Sequence, residues 1–258
     1  MSSAASRPRN LFLRSISDAD FAAFAGILER TELPARADLE VCGRTVEWVY
    51  FPESGIATVL AKGGRHGEIE VGSIGYENIT GLSIFLGDDR ACYTIRTQTP
   101  GRAWRAPARR VRALLHDRPS CRVAGLPFVN AFQALLGSTS LANGRATLEE
   151  RLARWLLMAQ DRLEDDTFHV THKLLAHAMG ARTASICLAA KALEHRGLVV
   201  KTHSRIRILD RQGLEAFAAD IYGAAERESS RLVGWMPGLQ RLEHRDTSAD
   251  LRPQFLSA

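Results

Sequence analysis

The chain has 258 residues, of which 45% are hydrophobic and 24% charged. That composition excludes a disordered or collagen-like chain, and the length suits two modules of ordinary size. The formal charge of +5 is too small to name a partner, but it is unevenly placed. Between Phe168 and Arg211, eight Lys and Arg residues stand against Glu194 and Asp210, a local excess of +6 that leaves the remainder at −1. A concentration of this kind belongs to a module that meets a polyanion.

Residues 1–9 read as a polar, mobile leader without the charged and apolar regions of a signal peptide. The scattered Cys42, Cys92, Cys121 and Cys187 form no zinc or iron-sulfur spacing and read as reduced thiols of a cytoplasmic protein. Ser17 or Asp18 caps a helix reaching Arg30, with Phe21, Phe24, Ile27 and Leu28 on one face. Alternating apolar runs broken by glycine then predict strands over 45–51, 56–61, 67–73, 92–98 and 102–106. The first two strands are expected to form a hairpin over Pro52–Gly55, within a small antiparallel roll or barrel.

A helical pattern covers about 109–163, with Thr147 as an N-cap before acidic Glu149 and Glu150. The uncharged stretch Val123–Gly144 could be mistaken for a membrane span, but its polar residues and glycines argue against one. Phe128, Phe132, Leu135, Thr139 and Ala142 recur at the spacing of a helix-pairing seam, which favours a homodimer interface centred on Phe128, Phe132 and Leu135 over the alternative, a helix buried within its own domain.

Beyond Asp165–Asp166, Thr171 opens a helix over 172–179, Gly180 makes a turn, and a second helix follows over about 183–195. Leu175, Met179, Ala181, Ile186 and Ala189 fall where a helix-turn-helix buries side chains, and small Ala176 falls at its close contact. Leu198–Lys201 and Arg205–Leu209 then form a wing over Thr202, His203 and Ser204. Arg182, Thr183 and Ser185, at the start of the second helix, are placed to read bases. Lys173, Lys191, Arg196, Lys201 and Arg205 are placed to meet phosphates.

Asn10-Leu11, Val49-Tyr50-Phe51-Pro52-Glu53-Ser54-Gly55, Gly87-Asp88-Asp89-Arg90, Glu149–Asp161 and the Thr171–Gly197 helix pair resemble, in order and spacing over residues 10–220, the CRP/FNR family of bacterial transcription regulators. The resemblance implies an α+β chain with an N-terminal antiparallel, jelly-roll-like β-roll of the cyclic-nucleotide-binding type. A long dimerisation helix and a C-terminal winged helix-turn-helix would follow. It further implies binding to double-stranded promoter DNA as a homodimer and RNA polymerase as a partner. Domain limits of 10–117, 118–145 and 146–220 follow, with 221–258 an extension of no assigned role.

By the same resemblance an effector pocket would involve Glu77, Gly81, Arg90 and Ala91. Cyclic-nucleotide-binding members have a Gly-Glu pair for the ribose and an Arg-Ser or Arg-Thr pair for the phosphate. This chain has Ile79-Thr80-Gly81-Leu82-Ser83 and Arg90-Ala91, so cyclic AMP is not expected as a tight effector and the effector is left unnamed. Where well-known members present an Arg-Glu pair and another Arg to DNA, this chain has Thr183, Ala184 and Leu188, which implies a different operator.

No phosphate loop, zinc-protease motif or nucleophile elbow occurs, His66 stands alone in the roll, and no metal site or catalytic activity is expected. Two other readings follow from the residues. One is a regulator responding through oxidation of Cys92, Cys121 or Cys187; the other is a small-molecule-binding roll with no role on DNA.

Overall fold

The computed structural model describes residues 7–202 and 204–235. Residues 1–6 of the expected leader, His203 in the wing turn, the side chain of His66, and 236–258 with Pro237, Gly238 and Pro253 lie outside the described residues.

Asn10 serves two elements at once. Its Oδ1 accepts from Leu13 N (3.4 Å) to cap α1 (Leu11–Ser15), and its Nδ2 donates to the carbonyls of Pro52 (3.2 Å) and Asn78 (2.9 Å). The end of the expected leader is also held, since Arg9 lies over the Tyr76 ring and pairs with Glu164 at 2.6 Å. Ser17 caps α2 (Asp18–Ala25), its hydroxyl accepting from Asp20 N at 3.1 Å. That helix stops at Gly26, short of the expected Arg30, and the chain becomes strand β1 (Glu29–Leu33).

Strands β2 (Asp38–Glu40), β3 (Trp48–Pro52), β4 (Ile56–Lys62), β5 (Glu68–Ile74), β6 (Thr94–Thr99) and β7 (Gly101–Pro107) complete the roll. They form two antiparallel sheets in the orders β1-β7-β3 and β2-β6-β4-β5. The expected hairpin between β3 and β4 is therefore corrected. β3 pairs with β7 (Val49 opposite Ala106) and β4 with β5 and β6 (Thr58 opposite Ser73 and Arg96), so Glu53–Gly55 is a corner between sheets. Burial of both faces is the physical reason: Ile56–Leu60 is buried throughout, which suits an internal strand better than one arm of a half-exposed hairpin.

A ring cluster fills one end of the roll. Phe12 lies 5.3 Å from Phe85, 5.4 Å from Phe24 and 5.7 Å from both Phe51 and Phe128. Each such ring contributes roughly 1.5–3 kcal/mol when taken from water. Phe85 ends in α3 (Leu82–Leu86), which packs under the long helix at Gly125, where any Cβ would collide with the Phe85 ring.

The helical region divides into α4 (Ala108–Asp117), α5 (Pro119–Arg145) and α6 (Leu148–Leu163). Thr147 caps α6 as expected, in a reciprocal pair with Glu150 (Thr147 N to Glu150 Oε2, 2.8 Å; Glu150 N to Thr147 Oγ1, 3.3 Å). From Leu152 to Arg162, α6 is buried on every side, including Arg154, Asp161 and Arg162. It is the central element between roll and C-terminal module. No helix among the described residues is long and apolar enough to cross a membrane.

The C-terminal module comprises β8 (Thr167–His169), α7 (His172–Ala178), α8 (Thr183–His195), β9 (Val199–Thr202), β10 (Arg205–Ile208) and α9 (Arg211–Ala218). After it the chain turns through Ala219–Ile221 into α10 (Ala224–Val233). The expected α+β architecture of roll, long helix and winged helix-turn-helix is present.

Candidate nucleic-acid interface

Thr171 caps α7 through its hydroxyl, which accepts from Leu174 N at 3.2 Å. Leu175, Ala176 and Met179 are buried against Ile186 and Ala189, the positions the spacing assigns to the inside of the helix pair; Ala181 is half-buried. Gly180 makes the turn at φ 59°, a left-handed conformation that side chains disfavour. Arg151 of α6 fixes the turn from below, its Nη2 donating to the Met179 carbonyl at 2.6 Å.

This packing leaves one face of α8 in solvent. Thr183, Ala184, Leu188, Lys191 and His195 are exposed along it, and Leu188 is 66% exposed. Arg182, at the N-cap, has an exposed side chain with no hydrogen bond or ion pair among the described residues. Of the three expected base readers, Arg182 and Thr183 lie on the open face, while Ser185 is half-buried at its edge. Ala184 and Leu188 are the better-placed neighbours, and their 184–188–191–195 spacing was available in the sequence.

The wing is a three-stranded sheet in the order β8-β10-β9, one strand more than expected, with Ile206 opposite both Phe168 and Lys201. Glu194 of α8 accepts from Lys201 N at 3.0 Å and fixes the wing to the helix. Lys173, Lys191, Arg196 and Arg205 are exposed, and Lys201 is half-buried. Arg196 lies 5.0 Å over the Phe217 ring, and Arg205 donates to His169 Nε2 at 2.8 Å. Burial, and then the charge of Lys201, lower the pKa of His172, which favours its neutral form beside the cations.

Residues 150–217 match the family model described as the Crp-like helix-turn-helix domain. That part of the chain is a Crp-like helix-turn-helix domain. No curated protein matches the chain. Among solved structures, the c-di-GMP-responsive global regulator CLP of Xanthomonas campestris is similar at 17% identity and a TM-score of 0.62, over 75% of this chain and 100% of that one. FixK2 of Bradyrhizobium japonicum is similar at 14% identity and 0.65, over 75% and 98%. A CRP-family regulator of Thermus thermophilus gives 18% and 0.60, over 75% and 99%. These likenesses establish the fold of CRP/FNR regulators, and the resemblance read from the sequence is borne out.

Three of the four residues assigned to an effector pocket have partners within the chain. Glu77 pairs with Arg162 of α6 at 2.8 Å. Gly81 gives its N–H to Glu40 Oε1 at 2.6 Å, so a carboxylate of this chain occupies the start of α3. Arg90 has an exposed side chain, and buried Ala91 uses its backbone on Gly43 and Arg44. A cleft of about 1020 Å³ lies between the roll and the Crp-like module. Glu70, Arg96 and Gln98 line one wall, with His169, Lys173 and His177 on the other.

The expected dimer centre is also corrected. Phe128, Phe132 and Leu135 are buried within the chain: Phe128 meets Phe12, Phe132 meets Tyr93, and Phe132 and Leu135 face Gly72. Helical spacing identified a buried seam, but a seam alone does not say whether its partner is another chain. The solvent face of α5 carries Val123, Leu126, Asn130, Gln133, Gly137 and Leu141, all exposed.

Of the thiols, Cys121 is buried, and burial first, then Asp20, pushes it up to about 11. Cys187 is half-exposed on α8. The structure instead brings together exposed Cys42 and Cys92, with Cys42 Sγ 3.2 Å from the Cys92 carbonyl.

Proposed function

We propose that the protein is a sequence-specific transcription regulator that binds promoter DNA as a homodimer and takes its signal through the β-roll. The observation that carries this reading is the open face of α8 in a Crp-like module. It presents the exposed Arg182, which has no partner among the described residues, and the apolar Leu188 in the most basic part of the chain. A helix of this kind enters the major groove with its first turn leading. Promoter DNA and RNA polymerase are the partners on this reading, and the cytoplasm is the place of action.

The dimer would form along the uncharged outer face of α5, where Val123 and Leu126 are 64% and 42% exposed. Two modules so paired would reach half-sites about 34 Å apart. Cyclic AMP is not the effector on this reading, because Glu40 holds the Gly81 N–H and Glu77 is committed to Arg162. Site selection from random duplexes tests the proposal. A two-fold symmetric motif whose log affinity falls linearly with log salt is expected, and no enriched sequence would overturn it.

A further inference from the structure

The chain does not stop at the wing. Beyond α9 it doubles back, and residues 219–235 lie against α5, α6 and the roll. Tyr222 Oη donates to Asp161 Oδ2 of α6 (2.6 Å) and accepts from Arg211 Nη2 of α9 (2.7 Å). The Ile221 carbonyl accepts from Ser138 of α5 at 3.4 Å. Ala225, Glu226 and Ser229 of α10 are buried. The segment reaches the roll with Trp235, which is 3% exposed; its Nε1 donates to Tyr76 Oη at 3.3 Å, and the Arg162 guanidinium lies 5.0 Å over its ring. Arg162 is in turn paired with Glu77. Tyr76 and Glu77 belong to the loop that leads from β5 to α3, so one segment joins the DNA module to the sensor.

The module is closed onto the roll. Gly180 of the helix-turn-helix sits by Ile69 of β5, and His177 Nε2 is 3.8 Å from Glu68. Lys173 and Thr171, at the start of α7, line the cleft of about 1020 Å³. Both residues are exposed on its solvent side, whereas the part of the helix-turn-helix that meets β5 faces the roll, so a module turned away from the roll would offer more of α7 to a duplex.

We propose that residues 219–235 form an autoinhibitory strap that holds the Crp-like module closed, with Trp235 in the Tyr76–Arg162 socket as its latch. The proposal rests on the DNA-binding reading. A signal that moves the 75–78 loop displaces both Tyr76 and Glu77, and so opens the latch.

The test compares the full chain with Trp235→Ala and Trp235→Phe by amide hydrogen exchange and by affinity for a selected duplex. Trp235→Ala is expected to raise exchange at 75–78 and 177–181 about tenfold and to tighten DNA binding several-fold, with Trp235→Phe between it and the wild type. Unchanged exchange in a folded Trp235→Ala variant overturns the strap. Faster exchange with unchanged or weaker DNA binding overturns autoinhibition. Should Trp235→Ala fail to fold, Tyr76→Phe, which removes only the hydroxyl, is read by the same two measurements and the same outcomes. Failure of every variant to bind any duplex overturns the DNA-binding reading instead, and exchange then decides the strap alone.

Discussion

Arg162 and Glu77 form an ion pair of 2.8 Å with both side chains almost fully out of water, at 3% and 5% exposure. The pair joins the central helix α6 to the roll loop, 85 residues apart in sequence. Burial alone would lower the Arg162 pKa, but Glu77 and then Asp161 hold it above its ordinary value, so the guanidinium stays charged. Removing one partner of a buried pair leaves an uncompensated charge. Glu77→Gln is therefore expected to cost about 3–5 kcal/mol in urea unfolding. A double variant, Glu77→Leu with Arg162→Met, should recover most of that loss, because no charge is then left unpaired. A loss under about 1 kcal/mol in the single variant would mean that water reaches the pair.

Glu40 supplies a pH dependence. Burial raises its pKa from the ordinary 4.5 to about 7, against the lowering effect of the Gly81 N–H. Between those values the folded chain binds more protons than the unfolded one, so stability falls as pH rises. The contribution is fully present below about pH 4.5 and lost by about pH 7, on the order of 3 kcal/mol at most. Glu40→Gln keeps an oxygen for Gly81 and does not titrate. It should be more stable than the wild type at pH 8, and the difference between the two should shrink toward pH 4.5. A difference that stays constant over pH 4.5–8 in chemical denaturation would rule this out.

The two faces of α5 predict opposite phenotypes. Leu126→Asp, on the solvent face, is expected to give a folded monomer at micromolar concentration by sedimentation. Phe132→Asp, on the inner face, should unfold the chain, since a buried unpaired charge costs several kcal/mol. A Leu126→Asp variant that remains dimeric would move the interface elsewhere.

Local patterns made much of this fold legible. The helix-turn-helix could be read because Leu175, Ala176, Met179, Ile186 and Ala189 pack within one short segment, and the Thr147 cap because its partner is three residues away. β1 was hidden because Glu29–Leu33 is polar, with Leu33 its one buried residue, and β7 supplies its pairing from seventy residues on. The effector assignments turn on contacts of the same long-range kind. Whether Glu77 faces a ligand or Arg162, and whether Gly81 is open or held by Glu40, depends on contacts across 85 and 41 residues. Trp235 gave no signal in sequence, because its socket is assembled from Tyr76 and Arg162.

Base reading gives the sharpest separation of roles. Arg182 is exposed at the leading end of α8 and has no partner among the described residues, and arginine can bond guanine at two atoms, worth ~1–3 kcal/mol of discrimination. Arg182→Ala should therefore relax preference at one guanine per half-site. Leu188 is apolar and on the same face, suited to a thymine methyl, so Leu188→Ser should relax a different position. Lys191 lies one turn further along, where a phosphate is the expected neighbour. Lys191→Ala should weaken all sequences alike and reduce the salt slope by roughly 0.9. Site selection at two salt concentrations reads all three. If Arg182→Ala leaves the motif intact and only lowers affinity, Arg182 is a phosphate contact, and the specificity resides in Thr183, Ala184 and Leu188.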